Sequence, residues 1–224
     1  MKHYCSSALL LGAFFILLAG SVLAATINFD SATPGALPPG WTSAMTHRGG
    51  PPHWGLMKDA TAPSQPNVLA QTSSDRTDGR FPLAIYKKTN VTNGSLSVQF
   101  KPISGVVDAS GGLVWRYLDP NNYYVVRANA DENNVVLYKV LKGRRSSISP
   151  VGKPPRTYGV KHLVAHRQWH TLAVSFHENL FTVTFDGEQL FQVKDNTFTA
   201  VGKVGLWTKA DSVTYFDNFV VKTD

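Results

Sequence analysis

The sequence predicts an all-β domain, a sandwich or a barrel, and three observations carry that prediction. From Thr26 onward the apolar residues come in short runs that alternate with a period of two. Turn residues cut these runs at near-regular intervals. No stretch holds a helical period for longer than about two turns, and no internal repeat recurs at a fixed spacing.

The chain opens with "MKHYCSSALLLGAFFILLAGSVLAA", in which Lys2 and His3 precede an apolar run from Ala8 to Ala19 and small residues follow to Ala25. This is the pattern of a secretory signal peptide spanning 1–25, with cleavage after Ala24 or Ala25. The run falls short of the about 20 apolar residues that cross a bilayer, so no transmembrane anchor is expected and the protein is predicted to be secreted or periplasmic. The only cysteine, Cys5, lies inside the leader and away from the cleavage point, which excludes a disulfide and gives no sign of a lipid anchor. The remaining about 200 residues, 26–224, suit one large β domain able to fold on its core alone.

Residues 31–66 are rich in Pro, Gly, Ser and Thr ("SATPGALPPGW", "GGPPHWG", "ATAPSQP") and read as mostly long loops, because proline fixes φ and removes a ladder donor. Strands follow from Asn67: "NVLAQ", "LAIYKK", "SLSVQFKPI", "GLVWRYL", "NYYVVRAN" and "NVVLYKV". After the loop "KGRRSSISPVGKPPRTYG" come "VKHLVAH", "WHTLAVSF", "LFTVTFD", "QLFQVK", "KVGLWT" and "VTYFDNFVVK". Asp186-Gly187 is the preferred dipeptide of a tight hairpin, and "DPNN" and "DENN" are Asx-rich turns. Period two then sorts the side chains. Leu96, Val98 and Phe100, Leu172, Val174 and Phe176, and Phe181, Val183 and Phe185 form core faces.

The formal net charge of +7 becomes +6 once Lys2 is removed with the leader, which favours anionic partners. The basic residues are scattered, however, and cluster only in "KGRR" and "GKPPR", the composition of solvated loop tips. No nucleic-acid partner is expected.

Parity also selects a candidate binding surface. A buried guanidinium is costly unless paired, so Arg116 and Arg127 are expected on outer strand faces or in a cleft, with Trp115 and Tyr124 in the core. Asn129 and Tyr123 share the parity of Arg127. If Leu206 is core, Trp207 is displayed together with Lys209, and the loop bearing His53 and Trp54 is placed to rim the same groove. Guanidinium and amide groups beside a flat ring are what a sugar needs, bidentate donors for its hydroxyls and a plate for its C–H face.

The series "GLVWRYLDPNNYYVVRANADENNVVLYKV", "WHTLAVSFHENLFTVTFDGEQLF" and "GKVGLWTKADSVTYFDNFVV" resembles the concanavalin A-like lectin/glucanase superfamily. It is most similar to exported bacterial 3-keto-disaccharide hydrolase-like domains, relatives of glycoside hydrolase family 16. The resemblance implies a two-sheet antiparallel jelly roll with a ligand groove on its concave sheet. It does not imply an activity, since this fold hosts lectins, hydrolases and structural modules.

Family 16 catalysis needs paired carboxylates on one strand. The only glutamates, Glu132, Glu178 and Glu188, fall in or beside turns and show no such spacing, so no catalytic residue is assigned. His162, His166 and His170 recur every four residues, but on strand-like text that spacing does not converge on a metal. The resemblance suggests instead a structural calcium ion tying the terminal strands, with Asp30 and Asp217 as oxygen ligands. The leading expectation is an exported, non-catalytic carbohydrate-binding domain using Arg116, Arg127, Asn129, Trp207, Lys209, Trp54 and His53. The alternatives are a glycoside or 3-keto-disaccharide hydrolase in the same groove, and a structural or adhesion module on anionic envelope polymers.

Overall fold

The computed structural model describes Met1 and residues 23–224. Its strands are β1 (Leu23–Ile27), β2 (Trp41–Thr46), β3 (Trp54–Lys58), β4 (Asn67–Gln71), β5 (Phe81–Val91), β6 (Gly94–Ser104), β7 (Ser110–Asp119) and β8 (Asn122–Asn129). The chain continues through β9 (Asn134–Leu141), β10 (Arg144–Ser147), β11 (Val160–Lys161), β12 (His170–His177), β13 (Leu180–Phe185), β14 (Glu188–Lys194), β15 (Gly202–Trp207) and β16 (Val213–Thr223). No helix occurs among the described residues, so none is long and apolar enough to cross a membrane.

The strands form two eight-stranded antiparallel sheets packed as a jelly-roll sandwich. The first runs β14-β13-β12-β6-β16-β4-β3, and the second runs β10-β9-β8-β7-β15-β5-β2 with β11 added to β9. In the first sheet one edge of β16 is shared: β4 pairs with Thr214–Phe216 and β1 with Phe219–Thr223. The expected leader falls mainly on residues outside those described. Leu23–Ala25 pair with Val221–Thr223, so cleavage after Ala25 would leave Thr26 and Ile27 as the paired remnant of β1.

The alternation seen in the sequence becomes the core between the sheets. Leu96, Val98 and Phe100 of β6, Leu172, Val174 and Phe176 of β12, and Phe181, Val183 and Phe185 of β13 all face inward and are buried. Trp115 stacks on Tyr124 at 5.4 Å and on Phe176 at 5.8 Å, with Phe181 edge-on at 5.4 Å. The Asp186-Gly187 hairpin has positive φ at both residues, 47° and 84°, the handedness that matches strand twist. The proline-rich stretch 31–66 holds two strands as well as loops. β2 and β3 are both edge strands, where missing donors are tolerated. Trp41 is buried against Phe29, Tyr86 and Phe219, and Trp54 against Phe216.

The second sheet carries apolar side chains on both faces. Its outer face holds a separate cluster of Phe81, Leu83, Ile85, Val114, Tyr123, Val125, Val136, Tyr138, Val140 and Trp207. Arg145 of β10 lies over these rings, its guanidinium carbon 4.5 Å from the Tyr138 centroid, 4.7 Å from Phe81 and 5.6 Å from Trp207. Tyr138 is on β9 and Phe81 on β5, four strand spacings apart, which in a flat sheet comes to about 19 Å. One guanidinium touches both because the sheet curls around it. The tip of the β9–β10 hairpin closes one end of the hollow: Gly143 donates its N–H to Asn121 O at 2.9 Å. Gly143 is held at φ 80°, and a Cβ there would come within 3.5 Å of His47 Nε2.

Candidate functional site on the outer face of the second sheet

At the other end of this curled face the apolar floor gives way to charged groups. Register places Arg127 of β8, Gly112 of β7 and Trp207 of β15 side by side in one row. The glycine leaves the Arg127 side chain room to lie across the sheet. Arg127 is 1% exposed, so its charge must be met inside the protein. Nη1 donates to Asn134 Oδ1 at 2.7 Å, and Nη2 to Glu132 Oε2 at 2.7 Å, to Tyr158 Oη at 3.0 Å and to Tyr138 Oη at 3.1 Å. The turn that presents Glu132 is set by Asn129, whose Oδ1 accepts the N–H groups of Asp131 and Glu132 at 2.8 and 3.0 Å. Asn134 Nδ2 adds a second donor to Glu132 Oε2 at 2.9 Å.

Beside this network stand Asp108, Lys209 and Asp78. Lys209 Nζ lies 2.8 Å from Asp78 Oδ1 and 3.4 Å from Asp108 Oδ2. Burial pushes the Asp108 carboxyl above its ordinary range, against the pull of Arg127 and Lys209 and with the help of Glu132. For Glu132 burial acts in the same sense but loses to the Arg127 hydrogen bond and charge and to Asn134, so its carboxyl is held below the ordinary range. Two carboxylates of one cluster are thus driven apart by their surroundings. The Arg127 guanidinium is held protonated: burial works against the charge, and its anionic and phenolic neighbours outweigh burial.

Ten buried side-chain polar atoms make no well-aligned hydrogen bond among the described residues, and five of them belong to this face: Asp108 Oδ1 and Ser110 Oγ, which face each other, Trp207 Nε1, which faces the Tyr123 hydroxyl, and Arg127 Nε and Arg145 Nη1. Arg127 Nε and Arg145 Nη1 are thus the donors of this face without a neighbouring acceptor, an uncommon situation in native interiors. Solvent reaches the cluster through Tyr158, Glu132 and Asp78, which are exposed.

The groove anticipated from parity needs correction. Trp207 does lie on the outer face opposite Leu206, but it is fully buried, because Arg145 and the curl of the sheet cover it. Arg116 is not on this face. The pairing of β7 slips between Trp115 and Asp119 on one side and opposite Lys203–Gly205 on the other, and Arg116 has φ 45°. Such a bulge re-aims one side chain and cancels the alternation beyond it. Arg116 therefore turns to the sandwich edge, 5.4 Å over the Phe181 ring. Trp54 faces the core from β3 of the other sheet, and His53 beside it is exposed there, so neither rims this hollow. Arg127 and Lys209 belong to the cluster, and Asn129 shapes its turn from a buried position.

Asp108, Tyr138, Tyr158, Arg145 and Asp78 are not among the residues that parity selects, and Glu132, expected in or beside a turn, is part of the cluster. The signal for Glu132 is local: Asn129 caps the turn and Arg127 precedes it by five residues. Asp108 and Tyr158 arrive from distant loops and leave no such trace. Each of the three spaced histidines has a separate partner: His170 with Asp186 at 2.7 Å, His166 with Asp131 at 3.0 Å and His162 edge-on to Phe185 at 5.0 Å. No group of three or more His, Cys, Asp or Glu positioned for a metal occurs among the described residues.

Asp30 and Asp217 do come together, across Ser64. Asp217 Oδ2 accepts the Ser64 N–H at 2.7 Å, and Asp30 Oδ2 accepts the Ser64 hydroxyl. The two remaining oxygens accept N–H groups of Asn67 and Asn218. Burial raises the Asp217 carboxyl, and the Asp30 charge adds to the rise.

No protein-family model matches the chain, and no curated protein matches it. Solved structures share its fold at low identity. A carbohydrate-binding module, CBM66 from Bacillus subtilis, is 18% identical with a TM-score of 0.59, covering 80% of this chain and 93% of that one. A protein of unknown function from Shewanella oneidensis MR-1 is 13% identical with a TM-score of 0.52, covering 92% and 87%. A structure described as a native glycosidic hydrolase is 14% identical with a TM-score of 0.50, covering 90% and 94%. At these identities the likeness shows the jelly-roll fold alone, and a fold does not fix a function.

Proposed function

We propose that the protein is an exported carbohydrate-binding module whose site is the charged end of the curled outer face. Arg127, Glu132, Asp108 and Lys209 exchange hydrogen bonds with sugar hydroxyls, and Tyr158 offers a ring at the entrance. The observation that carries this reading is the meeting of Arg127, Glu132, Asp108 and Lys209 beside a floor of rings, with the Arg127 Nε donor left over. Sugars carry donors and acceptors of both senses, and a mixed cluster above an aromatic floor suits them better than it suits a simple ion. Two fold neighbours, described as a carbohydrate-binding module and a glycosidic hydrolase, agree with the class of ligand.

A glycan array followed by calorimetry tests the proposal. Binding that falls at least tenfold in Glu132→Gln and in Tyr158→Ala is the expected result. An array without a ligand, or affinities untouched by both variants, would overturn it.

Hydrolysis is the second reading, favoured by one feature: the carboxyl of Asp108 is shifted up and that of Glu132 down, the directions a general acid and a general base require. Release of reducing ends from the bound glycan, abolished by Asp108→Asn while binding persists, would establish it. Intact glycan after prolonged incubation would rule it out.

A calcium ion on Asp30 and Asp217 belongs to the same proposal, supported by the like charges that meet there and by the hard oxygen donors they supply. The residues fit the ion only in part, since each carboxylate oxygen already accepts a hydrogen bond. Millimolar calcium should raise the melting temperature and a chelator should lower it. Indifference to both removes the ion from the account.

A further inference from the structure

Arg116 is buried to 1% exposure at the edge of the sandwich, and it has no acid to answer it. Its Nε and Nη2 donate to Thr92 O at 3.2 and 3.0 Å, Nη1 to Phe198 O at 2.7 Å and Nη2 to Glu178 O at 2.6 Å. These four bonds leave one of the five guanidinium N–H groups, on Nη1, unused. Among the described residues no carboxylate lies within ion-pair distance of it, and carbonyl dipoles orient a guanidinium without cancelling its charge. Arg80, the other arginine held mainly by backbone carbonyls, has the Asp75 carboxylate in its field.

A cavity of about 360 Å³ opens on Arg116, within the size range of small-ligand sites. Thr92 and Asn93 of the β5–β6 turn, Asn179 of the β12–β13 turn, and Asn196 and Thr199 after β14 line it. Their side chains are neutral and rich in donors. Asn93 Oδ1 is occupied by the Glu178 N–H at 2.9 Å, which turns its NH₂ group to other use. The one acid in the lining is Glu178, an exposed residue in a turn.

We propose that this cavity is a second ligand site, which takes the anionic substituent of an acidic saccharide, a uronate carboxylate or a sulfate ester. Carboxylate and sulfate share the chemistry that the cavity offers: a fixed positive charge at its base and neutral N–H and O–H donors around it. The saccharide part of the inference rests on the function proposed above, whereas the anion part stands on Arg116 and its cavity alone. Glu178 opposes the bound charge, so affinity for a single sugar should be modest.

Titration of the full chain with glucuronate, glucose 6-sulfate, inorganic sulfate and glucose, followed by NMR of the Asn side-chain amides and the Arg116 Nε–H, tests it. Shifts of Asn93, Asn179 and Asn196 with the acidic sugars and none with glucose are expected. Glu178→Gln should tighten binding severalfold, and Asn196→Asp, a loop change that leaves the core untouched, should weaken it at least tenfold. Equal response to glucose, or affinities unchanged in both variants, would overturn the inference. Inorganic sulfate acting as well as the sugar acids would keep the anion site and remove the saccharide from it. Tenfold loss in Glu132→Gln with no loss in Asn196→Asp would leave the first site standing and sink this one.

Discussion

Arg127 and Arg116 are one strand apart in the second sheet and equally buried, yet the protein treats their charges in opposite ways. Arg127 is met by a carboxylate, an amide and two phenols supplied within a few residues of β8 and β9 or by the loop before β11. Arg116 donates its hydrogen bonds to carbonyls alone, with the Phe181 ring beside it. The first arrangement is neutral and leaves only the Nε donor of Arg127 unused. The second leaves the charge itself unpaired beside a cavity. A buried cation therefore marks two kinds of place, one suited to hydroxyls of either sense and one to an anion.

The largest effect expected from breaking this contrast is at Arg127. Removing one partner of a buried, hydrogen-bonded pair typically costs about 3–5 kcal/mol, because the charge left behind is uncompensated. Arg127→Met should lie near the lower end of that range in urea unfolding, since Glu132 is 41% exposed and can rehydrate. A loss below about 1 kcal/mol would mean the network is already open to water.

Next in size is the coupling between Arg127 and Glu132. A double-mutant cycle with Arg127→Met and Glu132→Gln should give an interaction energy of about 1–2 kcal/mol, above that of surface pairs and below that of sealed ones. The same cycle between Arg116 and Glu178 should give a value near zero, because only the Glu178 carbonyl touches the guanidinium. Comparable couplings would erase the distinction between the two regions.

The pH dependence sharpens the contrast within the first region. Asp108 has a folded pKa above its unfolded one, so its ionisation costs stability; the cost is absent below about pH 4 and complete above the folded value. Asp108→Asn should therefore be more stable than the parent at pH 7, by a margin that vanishes in acid. Glu132 has the opposite sign. Its contribution is complete above about pH 4 and is lost as pH falls through the depressed folded value. Glu132→Gln should be less stable at pH 7, and its deficit should close in acid. Melting temperatures of the three proteins between pH 3 and 7 check both signs together.

How much of this was legible in the sequence depended on how local each cause is. The core faces of β6, β12 and β13 and the Asp186-Gly187 turn follow from period two and from dipeptide chemistry, which the chain writes within a few residues. Arg127 was also reachable, since its parity on β8 is undisturbed, whereas Lys209 follows the end of β15 and reaches the cluster from a turn. Arg116 was lost to a bulge, a one-residue slip specified by two neighbouring strands at once. Trp207 was placed on the correct face, but its exposure was decided by Arg145, 62 positions earlier in the chain. Asp108 has no motif around it. It enters the site because the loop before β7 is pinned by Asp211, which accepts the N–H groups of Val106, Val107 and Asp108.

The smallest effect concerns that covering arginine. Arg145 reaches Phe81, Tyr138 and Trp207 by cation–π contact, worth about 0.5–2 kcal/mol depending on desolvation, and its Nη1 has no hydrogen bond to strengthen the hold. Arg145→Ala should thus cost about 1 kcal/mol while uncovering the Trp207 indole. Steady-state fluorescence should shift to the red and become more accessible to acrylamide, with Trp207→Phe in the same background removing the change. Were the spectrum unaltered, the curl of the sheet alone would be hiding Trp207. The ring floor would then be closed to any ligand, and only the rim of Glu132, Tyr158 and Asp78 would be left to meet a sugar.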